Sequence, residues 1–311
     1  MDEHIPVLFD EVLRYLQPQP GGKYIDGTVG AGGHSAGILE GSAPNGRVLA
    51  FDRDEEAIAF ARDRLAEYAQ RLTLVHDSYA RMQEVATRYS FEKVDGILLD
   101  LGLSSRQLDD AQRGFSFMSE GPLDMRFDRS RGETAADLVN NLDKEALADI
   151  FWRYGEERHS RRYAKAIMEE RPISTTAELA DLVERAAPHY VRRKRIHPAT
   201  QVFQALRIVV NRELDELETG LPAAIELLRP GGRVVVISFH SLEDRFVKQL
   251  FRDLSKDCVC PPRQPICTCD AQAVVRVITR KVVRPSEEEV ERNPRSRSAR
   301  LRVAEKLETD G

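Results

Sequence analysis

Hydrophobic positions change their spacing several times along the chain, and each change marks an element. Lys23 to Asp26 forms a short extended run that opens onto a glycine cluster. Gly46 to Phe51 is an apolar run ending at Asp52, and Leu72 to Val75 and Val94 to Leu101 follow. Helical patterns separate them. From Glu55 to Ala69, Ala57, Ile58, Ala61, Leu65 and Tyr68 recur at helical spacing while Arg62 and Arg64 take polar positions. Strands alternating with helices predict a parallel sheet covered on both faces.

After Leu101 that alternation stops for about a hundred residues, where helical patterns fall around Ala135 to Trp152, Arg161 to Glu170 and Ala177 to Ala187. A further helix, Arg212 to Leu228, stops at Arg229-Pro230, and the strand signal returns in Gly231 to Ile237. Val274 to Thr279 and Ser298 to Ala304 predict an edge hairpin. The expected organisation is an α/β domain of residues 1–110 and 201–311 around a helical insertion of residues 111–200. No fixed-period repeat is present, which removes solenoids and propellers.

At 311 residues the chain is about twice the size of a typical domain, which agrees with that division. Hydrophobic residues make up 41% and charged residues 31%, and mean hydropathy is -0.43, a soluble composition. No stretch approaches the ~20 apolar residues of a spanning helix, and Met1-Asp2-Glu3-His4 lacks a signal peptide's basic flank. The expected compartment is the cytoplasm, with no membrane partner. A net charge of -5 argues against coating of nucleic acid by the whole surface, although two basic patches stand out. One is Arg192-Arg193-Lys194-Arg195. The other is the tail from Arg292 to Arg302, faced by the acidic run Glu287-Glu288-Glu289.

Candidate chemistry gathers where strands end. The first predicted strand runs into Asp26-Gly27-Thr28-Val29-Gly30-Ala31-Gly32-Gly33-His34, and glycines at a strand-to-helix turn let backbone approach a ligand closely. Asp52 ends the second strand, where a carboxylate can accept hydrogen bonds from ribose hydroxyls. Together they favour an adenosine-containing cofactor. For a dinucleotide the G-x-G-x-x-G spacing is imperfect, since Ser35 stands where the third glycine belongs, whereas S-adenosylmethionine has no phosphate to cradle. Asp100 closes the fourth strand, a position where open α/β sheets bind ligands, and Tyr79 follows the third strand as a base-stacking candidate or a core residue. Four cysteines stand in two pairs, Cys258-Val259-Cys260 and Cys267-Thr268-Cys269. They could close a tetrahedral zinc site, although C-x-C pairs are less typical of zinc than C-x-x-C. No metal ligand is expected among the active-site residues.

Several separated stretches carry a resemblance: His4-Ile5-Pro6-Val7-Leu8, Asp26 to His34, Ile97 to Leu108, Gly114-Phe115-Ser116-Phe117 with Gly121 to Arg126, Tyr154 to Arg158, His197-Pro198-Ala199-Thr200, Phe203 to Ile208, Ser238 to Arg245 and Asn293 to Ala304. From end to end the chain resembles the bacterial methyltransferases that modify the exocyclic 4-amino group of one cytidine in 16S rRNA. That resemblance implies a Rossmann-like class I methyltransferase sheet with a helical insertion domain, S-adenosyl-L-methionine as cofactor, and 16S rRNA, within the small ribosomal subunit, as partner. Carried over, the cofactor contacts fall on Gly32, Gly33, His34, Asp52, Tyr79, Asp100 and Gln107. The resemblance also exposes a departure, Gln201, where the family usually carries a basic residue.

Cytosine's amino nitrogen is a poor nucleophile, so positioning and hydrogen-bond acceptance must carry much of the catalysis. Asp100 is the first candidate near the reacting amine, and His240, just after the fifth strand, the second candidate for proton acceptor or base contact. The insertion is expected to recognise RNA. Phe115, Phe117, Met125 and Arg126 lie in a loop, Gly114 to Asp128, that could fold over the pocket, and the Arg192 to Arg195 run could track phosphate. Two competing readings are a nicotinamide-dependent oxidoreductase and a noncatalytic RNA-binding factor of ribosome assembly.

Overall fold

The chain alternates strand and helix from its first turns. Helix α1 (Phe9–Leu16) leads into β1 (Lys23–Asp26), α2 (Gly33–Gly41), β2 (Arg47–Asp52), α3 (Glu55–Arg64), β3 (Leu72–His76), α4 (Met82–Tyr89) and β4 (Val94–Asp100). A helical stretch follows, comprising α5 (Ser105–Asp109), α6 (Ala135–Asn141), α7 (Lys144–Gly155), α8 (Ser160–Glu170), α9 (Thr176–Ala186), α10 (His189–Arg192) and α11 (Ala199–Asn211). The chain closes with α12 (Glu213–Leu227), β5 (Leu228–Ser238), α13 (Ser241–Leu254), β6 (Val275–Val277), α14 (Glu287–Arg292) and β7 (Arg300–Lys306). This computed structural model describes residues 6–258, 260, 269 and 271–308, and two units emerge, residues 1–102 with 215–311 and residues 103–214.

In the first unit seven strands form one sheet in the order β3-β2-β1-β4-β5-β7-β6. The first five are parallel, and β7 pairs antiparallel with both β5 and β6. The two segments expected to form an edge hairpin do pair at the edge, with α14 between them. Because successive strand residues face opposite sides, the sheet feeds two cores. Ile25, Leu49, Phe51, Ile97, Leu99, Val234 and Val236 pack with Met82 and Val85 of α4, Leu217 and Leu221 of α12 and Val247 and Phe251 of α13. Tyr24, Val48, Ala50, Leu98, Val235 and Ile237 pack on the other side with Val12 and Leu16 of α1, Ile38 and Leu39 of α2 and Ile58 and Ala61 of α3. The inner parallel strands β1, β2, β4 and β5 are buried on both faces, whereas edge strand β3 is only partly buried.

Two helices end sooner than their periodicity predicts. The Glu55 to Ala69 pattern is α only to Arg64 and finishes as a 3₁₀ turn over Ala66–Tyr68, where the Arg71 N–H donates to the Tyr68 carbonyl (2.8 Å) as the chain turns toward β3. The Ala135 to Trp152 pattern breaks because Asp143 caps a new helix, accepting from the Ala146 N–H at 2.7 Å.

The second unit has its own core, drawn from all its longer helices: Leu138 and Val139 of α6, Phe151 of α7, Tyr163 and Ile167 of α8, Leu179 and Val183 of α9 and Val202 and Leu206 of α11. This unit holds α5 and the whole of α11 as well as residues 111–200, since the amphipathic faces of α11 are buried in the helical core. Among the described residues no helix is long and apolar enough to cross a membrane.

Candidate active site

Parallel pairing in register aligns the carboxyl ends of the central strands. Asp26 stands level with Ala50 and Leu98, Asp52 with His76, and Asp100 with Ile237. Strand order reverses direction between β1 and β4, which opens a crevice at those ends.

The glycine turn after β1 is pinned from below and from both sides. Gly27 N–H donates to the Leu98 carbonyl (2.9 Å) and Val29 N–H to the Phe51 carbonyl (2.8 Å), so the turn hangs from both neighbouring strands. Asp26, 1% exposed, accepts from the Ser35 hydroxyl at 2.6 Å and from the Thr28 N–H at 3.1 Å. Burial raises its pKa above the ordinary carboxyl value, against the pull of the Ser35 bond. Thr28 in turn accepts from the Asp100 N–H at 2.7 Å. Asp26 and Thr28 were not singled out from sequence. The available signal was an acidic residue ending the strand directly before the glycines.

Two glycines have specific reasons to be glycine. Gly32, at φ +81° before the first residue of α2, would place a Cβ 2.9 Å from Leu65 Cδ1. Gly30, at φ +49°, would meet nothing nearer than the Thr28 carbonyl at 3.9 Å, so open space lies over it. Gly33 is closed differently, by Pro6, whose Cγ would lie 2.3 Å from an added Cβ.

Asp52 faces that opening. One carboxylate oxygen accepts from the Gly30 N–H and the other from the Asp54 N–H, each at 2.9 Å. Each oxygen keeps a second lone pair, so the group can still take two donors from a diol. Desolvation pushes its pKa up to about 6, opposed by those two bonds and reinforced by the charges of Asp54 and Asp26.

His34, in the first turn of α2, is buried against Phe9, with ring centroids 6.0 Å apart and planes 22° from parallel. Its Nε2 lies 3.6 Å from Asp100 Oδ2, beyond hydrogen-bond range, and both ring nitrogens and Asp100 Oδ1 are buried without a hydrogen-bond partner. Orphaned polar atoms of this kind mark a place built to receive polar groups. The structure thus brings Gly32, Gly33, His34, Asp52 and Asp100 to one set of strand ends.

The other three sequence candidates are placed differently. Tyr79 follows β3, is buried in the core, and lies against Gly220 of α12, whose added Cβ would fall 2.4 Å from Tyr79 Cδ2; it also borders Gly27. His240 caps α13. Its Nδ1 accepts from the Glu243 N–H at 3.5 Å, its Nε2 faces Glu243 Oε1 at 3.2 Å, and Glu243 Oε2 accepts from the Phe239 N–H at 3.0 Å. Through Nδ1 the ring helps hold the β5–α13 turn. Gln107 belongs to the helical unit and closes a capping box with Ser104, donating its N–H to the Ser104 hydroxyl (3.2 Å) while its Oε1 accepts from the Ser104 N–H (3.0 Å).

Within the helical unit the expected pocket loop is largely packing. Phe115 and Met125 are buried in the core, Arg126 forms a two-pronged pair with Asp124 at 2.8 and 2.9 Å, and Phe117 lies tilted against His197 and edge-on to Phe203. The basic run behaves otherwise. Arg192 is tied to the carbonyls of Ala187 and Arg185, but Arg193, Lys194 and Arg195 are exposed beside exposed Tyr190 and Ile196. Gln201 is exposed and donates to the Glu156 carbonyl at 3.4 Å. In the tail, Arg302 and Arg300 are drawn onto Asp244 of α13 at 2.6 and 3.5 Å, so part of the second basic patch serves the sheet edge.

Comparison with known proteins gives a concordant picture. A family model described as the MraW methylase family matches residues 1–307. A protein of Thermomicrobium roseum called ribosomal RNA small subunit methyltransferase H is 56% identical over 311 residues, covering 99% of this chain and 95% of its own. Proteins of the same name from Syntrophobacter fumaroxidans and Brevibacillus brevis are 53% and 50% identical over 307 residues, covering 98% of this chain and 96% and 98% of theirs.

Proposed function

The chain belongs to the MraW methylase family, and from that premise we propose that it methylates the exocyclic 4-amino nitrogen of one cytidine in 16S rRNA of the small ribosomal subunit. It is a methyltransferase with a Rossmann-like class I sheet, and S-adenosyl-L-methionine is its methyl donor. The observation that carries the reading is the convergence of an open glycine turn, the doubly loaded Asp52 and the orphaned His34 and Asp100 atoms at adjacent strand ends.

Those residues fit the donor chemically. Asp52 supplies acceptors for the ribose hydroxyls, and the open space over Gly30, in the turn that Gly32 and Gly33 complete, leaves room for the amino-acid portion. Tyr79, Asp100 and Gln107 complete the proposed cofactor contacts, with His34 beside Asp100. Acidic side chains at Asp52 and Asp100 favour a cationic ligand over a diphosphate, and Ser35, in place of a third glycine, spends its hydroxyl on Asp26. These features weigh against the nicotinamide reading.

When bound, the cofactor supplies an electrophilic methyl on sulfonium sulfur. The chain's task is to aim the cytosine nitrogen along the sulfur–carbon axis and to accept a hydrogen bond from its N–H, which localises the lone pair. Asp100 Oδ1 is the acceptor best suited to that. The bound donor would supply the methyl, and Asp100 or water would take the proton that the amine gives up. His240, whose Nδ1 accepts from the Glu243 N–H at the start of α13, is proposed as the second group to accept the amine proton or contact the target base. The helical unit, through exposed Arg193, Lys194 and Arg195, is proposed to hold RNA phosphate. The site of action is then the cytoplasm.

A thermal-shift titration tests the cofactor half directly, since only a ligand of the folded state raises its stability. S-adenosylhomocysteine should stabilise the protein and NAD should not. The reverse result overturns the reading, and methyl transfer to undermethylated small subunits separates an enzyme from an assembly factor.

A further inference from the structure

Helix α13 and edge strand β6 are joined by an excursion pinched at its base. The Val274 N–H donates to the Leu254 carbonyl at 2.7 Å and the Ala273 N–H to Asp257 Oδ1 at 3.1 Å. Just inside that neck the chain carries Cys258, Cys260 and Cys269, whose three sulfurs all lie within 4.8 Å of one another. Cys258 and Cys269 Sγ stand 3.8 Å apart, far longer than the about 2.05 Å of a disulfide. Thiolates about 2.3 Å from a tetrahedral ion are separated by about 3.8 Å, the edge of that tetrahedron. All four cysteines of the chain fall in this one segment.

We propose that Cys258, Cys260 and Cys269 form a structural zinc site that ties the α13–β6 connection together. The segment's composition supplies the physical reason. Between Leu254 and Val274 the large aliphatic residues are Val259 and Ile266, set among Pro261, Pro262, Arg263, Gln264 and Pro265. Such a sequence cannot bury a core of its own, so ordering it requires a cross-link, and a soft, redox-inert ion bound by thiolates is the cross-link available in a reducing compartment. The fourth vertex falls to a ligand beyond these three; in the sequence Cys267 completes the second C-x-C pair, and it lies outside the described residues. Each thiol gives up its proton on binding, and no electron moves.

The test uses the full-length protein, made without a metal-affinity tag and kept under reducing conditions. Elemental analysis should find close to one zinc per chain, and after its removal cobalt(II) should restore stoichiometric binding with intense sulfur-to-cobalt charge-transfer absorption, a signature of thiolate ligation. In a Cys258→Ser/Cys269→Ser variant both zinc and the cobalt absorption should disappear while S-adenosylhomocysteine still binds, showing that the fold persists. A wild-type chain that carries no zinc and gives no cobalt–thiolate absorption overturns the proposal. So does a double variant whose cobalt spectrum is unchanged, or wild-type protein whose mass shows these cysteines joined as disulfides before any metal is added.

Discussion

Replacing Asp52 by asparagine removes the charge at the proposed ribose contact while nearly preserving volume, and its consequences can be worked from the site. Asp52 accepts two backbone N–H groups, from Gly30 and Asp54, on separate oxygens. Asparagine has one acceptor oxygen, so one of those amides loses its partner, which costs about 1–3 kcal/mol of stability. The ribose diol loses charge-assisted acceptance worth about 2–3 kcal/mol, equivalent to about 30- to 150-fold weaker cofactor binding. Titration calorimetry with S-adenosylhomocysteine, well below the variant's melting temperature, separates the two effects. A pH arm sharpens the test. With its pKa at about 6 in the free protein, Asp52 accepts ribose donors as carboxylate and loses that capacity on protonation. Wild-type affinity should therefore be nearly flat above pH 7, weaken about tenfold by pH 5, and level off at lower pH near the about 30- to 150-fold loss of the uncharged side chain. In Asp52→Asn that component vanishes, and the difference between the two profiles isolates Asp52 from other titrating groups. A variant that binds within twofold of wild type, or profiles that run parallel, would refute the ribose assignment.

Further outcomes follow from the same geometry. Gly32→Ala forces a left-handed φ on alanine and drives its Cβ toward Leu65, so urea denaturation should show a loss of about 1–2 kcal/mol or more. Leu98→Ala empties a fully buried position between β1 and β5 and should cost about 2–5 kcal/mol by the same measurement. Neutralising Arg193, Lys194 and Arg195 to glutamine should weaken RNA binding and reduce the slope of log affinity against log salt by about 2 to 3, leaving cofactor affinity alone; an unchanged slope removes this surface from the interface. Asp100→Asn should lower kcat more than cofactor affinity if its orphaned oxygen serves the cytosine amine, and equal losses would assign it to the cofactor alone.

Much of the architecture was legible because inner parallel strands buried on both faces leave apolar runs, and β1 to β4 begin and end within a residue or two of the runs read from sequence. Helix ends were less legible. Asp143 caps a helix inside what periodicity alone reads as one segment, and the turn after Arg64 is decided by the path back to β3. Strand order was outside the reach of local pattern, since it depends on which runs pair. At the site, glycines and strand-end carboxylates announced themselves through position. Asp26 did not, because its importance lies in bonds to Ser35 and Thr28 that only the folded turn creates. The loop aromatics show the opposite failure: Phe115 and Met125 look available in a glycine-punctuated segment, yet the helical core takes them. A histidine after a strand reads as chemistry from sequence, and the capping box around His240 shows how readily the same position serves a helix terminus.

The most direct test of the whole account is a methyl-transfer reaction with isotope-labelled S-adenosylmethionine, small ribosomal subunits from cells lacking the modification, and nucleoside-level identification of the product. The account predicts label in N4-methylcytidine at a single 16S position. Label confined to another nucleoside, or no transfer by protein that binds the cofactor, would contradict it.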